Sequence, residues 1–279
     1  MAATVTIAPL GAGHVAAATD LTTAVGWAHR PQDWLFALSV GHGLGAFDAD
    51  GTLRATLVWF PYGPTHASIG MITVDPALQR GGIGRRLMDR LLADTSARTL
   101  MLVSTAAGSR LYETLGFRTI GSNAAHIGVS AMAESIAGVV AARATDLDAI
   151  TSLDAAAQGC ARAELIAALA HAGDVAIVSD DKGTLAGFAI CRRFGRGYVI
   201  GPVVAGNSDD ARRLVAYWLA QHIGQTVRID VPAEHAALAA WLADQGLPRG
   251  GESPIMVRGE TPSPEPLVQR YALVSQAMG

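Results

Sequence analysis

The glycine-bearing turn within VDPALQRGGIGRRLMDRLL, residues 74–92, is the stretch of this chain best suited to bind a ligand. Gly81, Gly82 and Gly84 allow backbone amides to crowd together and point outward. The apolar residues that follow recur at helical spacing and predict an amphipathic helix. Amides gathered at the positive end of a helix favour an anion, each charge there contributing roughly 0.3–1 kcal/mol. The turn therefore predicts a phosphate or diphosphate site.

Two familiar phosphate loops do not match this turn. A Walker loop requires Lys and then Ser or Thr after its last glycine, where this chain has Arg85 and Arg86. The dinucleotide fingerprint G-x-G-x-x-G has a different spacing and opens a parallel βαβ unit. Taken alone, the turn is equally compatible with a tight strand-to-helix connection that binds nothing.

Composition limits the classes of protein to consider. Of 279 residues, 50% are hydrophobic and 16% charged, and the net charge of −3 gives no basic surface for nucleic acid or an anionic membrane. The start MAATVTIAPL lacks a basic leader and no apolar run is long enough to span a bilayer, so we expect a cytoplasmic protein. Cys160 and Cys191, the only cysteines, predict neither a disulfide framework nor a metal site.

The pattern of apolar runs predicts a mixed α/β fold that occurs twice. A strand, two helices and an antiparallel meander lead into the quoted helix, and a strand, a short helix and a final strand follow. The same order recurs about 130 residues later, where YVIGPVVAGNSDDARRL parallels ASIGMITVDPALQRGGIGRRL. We therefore predict a first domain at 1–130, a linker at 131–138 and a second domain at 139–279.

Two motifs together resemble the GCN5-related N-acetyltransferase (GNAT) superfamily. These are V-D-P-x-x-Q-R-G-G-I-G and, some 25 residues later, L-Y-E-x-L-G-F. GWAHRPQDW, STAAGSRLYETLGF and the closing YALVSQAMG are similar to tandem members with a complete first domain and a degenerate second one. The resemblance implies two tandem GNAT-like domains, each a mostly antiparallel twisted sheet flanked by helices, with splayed central strands.

The same resemblance implies acetyl-CoA, or another acyl-CoA, as co-substrate and no metal. Loop amides would grip its pyrophosphate, and the splayed strand would bind the pantetheine arm. Thr105 stands where the family usually has an asparagine. The residues so assigned are Met71, Ile72, Thr73, Val74, Gln79, Arg80, Gly81, Gly82, Ile83, Gly84, Arg85, Thr105, Gly108 and Tyr112.

Direct acyl transfer to an amine requires a base, an oxyanion donor and an acid. By the resemblance, the Tyr112 hydroxyl lies near the CoA sulfur and protonates the departing thiolate. A backbone N–H near Met71 or Ile72 is the expected oxyanion donor. His29 and Asp33, on the loop that faces the acceptor channel in this fold, are the candidate bases, although Asp33 would equally cap the helix that starts at Trp34.

Other residues near these motifs have a functional and a plainer interpretation. His66 and His126 are alternative bases or ordinary imidazoles. Trp27 and Trp34 form either an acceptor wall or core. Three arginines near the loop either contact phosphate or are solvated helix charges: Arg80, Arg85 and Arg86. Three around Phe194 in the second copy either bind an acidic acceptor group or form a charged hairpin edge that discourages aggregation: Arg192, Arg193 and Arg196.

The second copy lacks the features that the resemblance requires of a donor site. Asp209 and Asp210 replace the glycines beside Asn207 and would repel a pyrophosphate. Leu242 falls at the position of Tyr112. We expect this copy to be inactive, to close one side of the acceptor pocket with its loops, and to end in an amphipathic helix through Leu267, Tyr271 and Val274. Such a pseudo-dimer would be a monomer, with a homodimer as the alternative.

The predicted function is therefore transfer of an acetyl group from acetyl-CoA to a primary amine of a small molecule. One alternative is transfer of a different acyl group from CoA or from an acyl carrier protein as partner. The other is a non-catalytic acyl-CoA-binding regulatory protein. Neither nucleic acid nor membrane is an expected partner, and acceptor identity lies in variable loops that sequence does not interpret.

Overall fold

The computed structural model describes residues 5–131 and 136–279, and both ranges contain the same succession of elements. The first range holds six strands and four α-helices. In chain order these are β1 (Thr6–Leu10), α1 (Val15–Ala24), α2 (Pro31–Val40), β2 (His42–Phe47), β3 (Leu53–Tyr62), β4 (His66–Val74), α3 (Ile83–Asp94), β5 (Thr99–Val103), α4 (Ser109–Thr114) and β6 (Arg118–Val129).

The second range repeats that order and adds one strand. Its elements are β7 (Val139–Ala141), α5 (Leu147–Gln158), α6 (Ala163–Ala172), β8 (Asp174–Ser179), β9 (Leu185–Phe194), β10 (Gly197–Ala205), α7 (Ser208–Gln221), β11 (Thr226–Pro232), α8 (Ala236–Asp244), β12 (Arg249–Arg258) and β13 (Gln269–Ala272). Residues 132–135 of the predicted linker 131–138 lie outside the described residues, and the domain boundaries stay a prediction.

The thirteen described strands form one sheet, in the order β1-β2-β3-β4-β5-β12-β6-β11-β10-β9-β8-β7, with β13 paired to β10. Every pair is antiparallel except β4–β5 and β10–β11. The predicted fold class, a mixed α/β fold with two mostly antiparallel copies, is confirmed. No helix among residues 5–131 and 136–279 has the length and apolar character needed to cross a membrane.

The two copies exchange their last strands. β12 of the second copy pairs with β5 of the first, matching Ile255 with Val103 and Arg258 with Leu100. In return, β6 of the first copy pairs with β11 of the second. Because β6 and β12 also pair with each other, the two copies share one continuous sheet. This exchange carries loops of the second copy to the end of β4 and β5, where the first copy opens.

β4 and β5 diverge after the first half of β4, as the resemblance implies. Their parallel pairing ends at Ile69 opposite Leu102. The next residues of β4 form a bulge against β3, in which Met71 has a φ of 52° and its carbonyl accepts a hydrogen bond of 2.8 Å from Thr56 Oγ1. A bulge bends a strand away from its neighbour. The gap that results is the entrance to the candidate site.

The predicted C-terminal helix is wrong, because residues 269–272 form strand β13 instead. Pairing of β10 with β11 stops after Val199, which leaves buried main-chain groups of β10 without partners from that side. β13 supplies them by pairing with Val203–Ala205, and the Leu273 amide donates to the Asp230 carbonyl. The spacing of apolar residues predicted a helix. Residues 271–274 are instead buried in this gap, where main-chain groups without hydrogen-bond partners would be costly.

The segment after β13 is held by a buried ion pair. Arg162 and Asp154, whose side chains are essentially inaccessible, form two hydrogen bonds of 2.7 and 2.9 Å. The remaining nitrogen of Arg162 donates to main-chain oxygens of Met278 and Gly279. In the first copy, the Ser68 hydroxyl donates to the Ala277 carbonyl at 3.0 Å. The end of the described chain is thereby fixed against both copies.

Candidate active site

A cavity of about 350 Å³ opens at the point where β4 and β5 diverge. Both copies and the segment after β13 line it. Its lining residues are Gly26, Trp27, Ala28, His29, Ile69, Gly70, Met71, Ile72, Leu102, Val103, Thr105, Tyr112, Ile127, Phe194, Gly195, Arg196, Gly197, Tyr198, Thr226, Arg228, Ser275, Gln276 and Ala277. Five of the residues predicted to act in the site, His29, Met71, Ile72, Thr105 and Tyr112, are therefore brought together.

Tyr112 reaches the cavity from α4 and is 7% exposed. Its ring packs on Gly108, where an added Cβ would come within 2.9 Å of Tyr112 Cε2. Burial raises the pKa of Tyr112 to about 12, so the phenol keeps its proton at neutral pH. Thr105 begins the turn before α4, since its carbonyl accepts the Gly108 amide at 3.0 Å. Gly108 thus gives room to the tyrosine and does not itself line the cavity.

The splayed part of β4 leads from the cavity toward the glycine turn. Met71 and Ile72 line the cavity, whereas Thr73 and Val74 lie farther along the strand. The buried Thr73 hydroxyl has no hydrogen-bond partner among the described residues. Beyond Ile69 this edge of β4 has no strand pairing to β5, so its main-chain groups are available to a ligand.

The turn at 79–85 has the backbone conformation that an anion site requires. Gly82 caps α3 in the left-handed region with a φ of 81°, and no side chain caps the helix there. Arg80 is also left-handed, with a φ of 64°, an uncommon conformation for a residue other than glycine. The first amides of α3 have no partner inside the helix. A Cβ added at Gly84 would lie 3.8 Å from Leu111 Cδ2, and Leu111 precedes Tyr112 on α4, so the turn lies close to the helix that carries the tyrosine.

The arginines around this turn have separate roles. Arg86 donates to the Val5 carbonyl at 2.6 Å and so ties α3 to the start of β1. Arg85 pairs with Asp89 one turn along α3 at 3.1 Å and reaches the Thr114 hydroxyl at 3.4 Å. Arg80 is exposed beside Gly81 and is the best placed of the three to meet a phosphate in solvent.

His29 is held in an aromatic cage at the interface of the two copies. Its ring centroid lies 5.7 Å from that of Trp27, 6.4 Å from Trp34 and 5.5 Å from Phe194. Burial lowers the pKa of His29 to about 4, an effect that Asp33 opposes and that Arg228 and Arg192 reinforce. The imidazole is therefore neutral at pH 7. Its buried Nδ1 has no hydrogen-bond partner among the described residues.

Asp33 does not line the cavity, and its surroundings do not support a role as base. Its carboxylate accepts from the Arg30 side chain at 2.7 and 3.2 Å, from the Arg30 amide at 2.9 Å and from the Gly195 amide at 3.0 Å. Although burial acts to raise it, these hydrogen bonds hold the pKa of Asp33 below its usual range. Asp33 caps the start of α2 and anchors the β9–β10 turn of the second copy.

The remaining candidates divide between the site and the core. Trp27 lines the cavity, whereas Trp34 is fully buried core. His66 and His126 do not line it, and His126 is buried with Nδ1 3.0 Å from the Leu247 carbonyl. Arg192 is buried between the Phe36 and Phe194 rings, with its guanidinium carbon 5.1 and 4.9 Å from their centroids.

The second copy contributes one wall of the cavity, and of its residues there sequence analysis had singled out only Arg196 and Phe194. Phe194 to Tyr198 come from the β9–β10 turn, and Thr226 and Arg228 from β11. Ser275 to Ala277 follow β13. A strand exchange leaves no local signal in a sequence, since each strand keeps the apolar pattern of a strand in either position. Only the resemblance to tandem relatives pointed to this wall.

Comparisons with known proteins agree with this geometry. Sequence models described as Acetyltransferase (GNAT) domain match residues 62–135 and, independently, residues 150–272. The chain belongs to the GNAT acetyltransferase superfamily. It is an acyltransferase with two GNAT domains in tandem.

Relatives match along the whole length of this GNAT chain. An uncharacterized N-acetyltransferase of Bacillus subtilis, YitH, is 29% identical over 272 residues, covering 95% of each chain. A putative acetyltransferase from Pyrococcus horikoshii has a TM-score of 0.82 at 21% identity, covering 99% of this chain and 96% of its own. A tandem GNAT protein from the clavulanic acid biosynthesis pathway has a TM-score of 0.61 at 15% identity, covering 94% and 100%. The two structures share the fold.

Proposed function

We propose that this GNAT protein transfers an acetyl group from acetyl-CoA to the primary amine of a small molecule, in the cavity of the first copy. The observation that carries the proposal is the meeting of Tyr112, Thr105 and the splayed strand at Met71 and Ile72 in one cavity, near a helix start that no side chain caps. The cavity volume of about 350 Å³ favours a small acceptor over a protein surface.

The residues present fit an acyl-CoA. Amides of residues 79–85 would hold the pyrophosphate at the start of α3, where the left-handed Gly82 leaves the approach open and nothing lies within 4 Å of an added Cβ. The free edge of β4 from Met71 to Val74 would bind the pantetheine amides as an added strand would. Acyl-CoA supplies an activated thioester, and the protein would supply the positioning, the oxyanion donor and the proton transfers.

Binding must place the amine, the thioester carbonyl and an N–H donor in line. The Met71 or Ile72 amide would stabilise the oxygen that becomes negative as the amine adds. A lysine-like amine with a pKa of about 10.4 must first lose a proton, at a cost of roughly 4 kcal/mol at pH 7. His29, which is neutral and lines the cavity, would accept a hydrogen bond from the amine and orient it.

Tyr112 would complete the reaction by protonating the departing sulfur. Its phenol stays protonated at neutral pH, so the proton is present when the C–S bond breaks. The nearby Phe117 ring, 6.0 Å away, helps to keep the hydroxyl out of bulk water. The nitrogen, made acidic by bond formation, loses its second proton toward His29 or solvent.

The pseudo-dimeric sheet also favours a monomer. A single chain already contains the exchange of terminal strands by which two copies complete each other. The second copy in this proposal is a wall of the acceptor site and holds no donor of its own.

Calorimetry with acetyl-CoA on the wild type, Gly82→Glu and Gly82→Asn tests the proposal. Asn tolerates the left-handed conformation and is neutral, whereas Glu adds a negative charge where the pyrophosphate would sit. We expect Gly82→Glu to weaken binding by 100-fold or more and Gly82→Asn by about 10-fold or less. Binding that is equal in all three proteins would remove the donor from this turn.

Thiol release on a panel of amines then separates the alternatives. Release from acetyl-CoA with some amines supports acetyl transfer. Release only from other acyl-CoA thioesters, or only from an acylated carrier protein, would point to a different acyl group. Tight binding of acyl-CoA without release on any amine would indicate a binding protein that regulates rather than catalyses.

A further inference from the structure

The wall that the second copy contributes to the cavity is positively charged. Among the described lining residues, Arg196 and Arg228 bring guanidinium groups to the cavity, and no Asp or Glu side chain lines it. Arg196 is in the β9–β10 turn and Arg228 is on β11. Asp230, behind the wall, compensates the charge of Arg228, so the net positive charge that an anionic group in the cavity would meet comes from Arg196, with Arg228 as a further hydrogen-bond donor.

Arg228 is held in a fixed orientation. Its Nε lies 3.1 Å from both carboxylate oxygens of Asp230, and its Nη2 lies 2.9 Å from one of them. Asp230 is fully buried. Nη1 of Arg228 has no partner in the part of the chain that the structure describes, and a guanidinium oriented in advance loses little entropy when it binds a carboxylate.

Arg196 is carried by a turn that is itself anchored. The Gly195 amide donates to Asp33 at 3.0 Å, which fixes the β9–β10 turn against the first copy. Arg196 is exposed and forms no ion pair with any described residue. Two arginines, one rigid and one free to adapt, thus face the same cavity.

Aromatic rings lie beside these two arginines. Trp27 and Phe194 line the cavity on either side of His29, and the Arg228 guanidinium carbon lies 5.9 Å from the Phe194 ring centroid. We infer that the acceptor is a small amino acid-like molecule, with its carboxylate on Arg196 and Arg228, its apolar body on Trp27 and Phe194, and its amine toward His29. This inference rests on the proposed function, because it assigns the acceptor of that same site.

Matched pairs of amines test the inference. Thiol release is compared for phenylalanine and phenylalaninamide, and for 4-aminobutyrate and 4-aminobutanamide, with each rate corrected for the fraction of neutral amine. A carboxylate should raise kcat/KM by 10-fold or more in at least one pair. The amide is the control, since it keeps the size and loses the charge.

Two variants identify the groups responsible. Arg196→Ala should lower kcat/KM much more for the acid of each pair than for its amide, and so remove most of the carboxylate preference. Arg228→Gln combined with Asp230→Asn removes the buried pair together, which avoids an uncompensated buried charge, and should also lower kcat/KM more for the acid of a pair than for its amide. Arg212→Ala on α7, which removes another exposed arginine, is the control and should change neither rate.

A binding measurement keeps this inference separate from the proposed function. 3-Phenylpropionate and 3-phenylpropanamide have no amine, so their affinities in calorimetry do not depend on turnover. Tighter binding of the carboxylate, lost in Arg196→Ala, supports the acceptor site even if no amine is acetylated. Equal affinities together with equal rates on acids and amides would overturn the inference, although thiol release would still support acetyl transfer.

Discussion

In the first copy the gap between β4 and β5 opens into a cavity, whereas in the second copy the matching gap between β10 and β11 is filled by β13. Both gaps begin at a glycine. An added Cβ at Gly70 would meet Ala277 at 2.4 Å, and one at Gly201 would meet the Leu273 carbonyl. The same segment of chain therefore closes the second gap completely and only borders the first.

The matching helices α3 and α7 also differ at their starts, which are open in the first copy and occupied in the second. At α3, left-handed Gly82 leaves the amides without a side-chain cap. At α7, the Asn207 side chain accepts the Asp210 amide at 2.9 Å, and Asp209 and Asp210 occupy the first turn. A capped helix start with two carboxylates is a stable terminus but a poor anion site.

Two further positions follow this division. Met71, which we propose as an oxyanion donor through its amide or that of Ile72, corresponds to Pro202, which has no amide hydrogen. Tyr112 corresponds to Leu242, which is fully buried core. Under the proposed function, these small local changes distinguish a donor site in the first copy from a supporting wall in the second. Four predictions test this difference between the copies, from the largest expected effect to the smallest.

Arg162→Ala should have the largest effect, because Arg162 holds the segment that fills one gap and borders the other. Removing it leaves Asp154 buried without its partner, which should lower the free energy of unfolding by about 3–5 kcal/mol. Denaturant unfolding measures this. Arg143→Ala, which breaks an exposed pair with Asp146, should leave the free energy of unfolding nearly unchanged. A loss below 1 kcal/mol in Arg162→Ala would show that the C-terminal segment is held by other contacts.

Tyr112→Phe comes next and tests the chemistry assigned to the first copy. Loss of the acid that protonates the thiolate should lower kcat by about 10²–10³-fold with little change in acetyl-CoA affinity. Thiol release and calorimetry measure the two effects. Tyr217→Phe on α7 of the second copy removes a hydroxyl away from the cavity and should leave kcat unchanged. A kcat for Tyr112→Phe within 3-fold of wild type would contradict the assigned role.

The pH dependence of stability tests whether water reaches His29 at the interface between the copies. The unfolded chain binds a proton on this histidine below about pH 6.5, whereas the folded chain binds it only below about pH 4. Stability from this group is therefore present above pH 6.5 and decreases as pH falls toward 4, by about 3 kcal/mol in total. His29→Phe keeps an aromatic ring in the cage and should flatten the stability curve across this window, as measured by denaturant unfolding.

The same two proteins should have parallel stability curves between pH 7 and 9, where this histidine does not titrate in either state. That range is the internal control. Equal slopes of both proteins between pH 4 and 6.5 would mean that water reaches the imidazole and that its pKa is ordinary.

Sequence reasoning succeeded where a function depends on local backbone. Gly82 and its neighbours predicted an exposed set of amides, and α3 follows them with Ile83, Leu87 and Met88 buried as the apolar stripe required. The order of elements was likewise predictable, because strand and helix periodicities are local. Tyr112 followed from a motif that the resemblance supplied.

Sequence reasoning failed where strand or hydrogen-bond partners come from distant parts of the chain. The exchange of β6 and β12 changes no periodicity, so no window of sequence distinguishes it. The segment at 269–272 had an equivocal pattern, and its strand conformation was decided by unpaired groups of β10 about 70 residues earlier. Asp33 was correctly predicted as a possible cap, but its bond to Gly195 depends on the other copy.

The smallest effect is expected from repairing the second copy. Calorimetry should give one acetyl-CoA per chain for the wild type, and Asp209→Gly combined with Asp210→Gly should not raise that number. The double variant removes the repelling carboxylates from the start of α7, yet Pro202 still lacks an amide and β13 still fills the gap. A second bound acetyl-CoA in the double variant would mean that charge alone silenced this copy, and that β13 leaves the gap readily. One bound acetyl-CoA per chain in both proteins would instead indicate that the filled gap prevents binding to the second copy. No substitution at the helix start can reopen that gap.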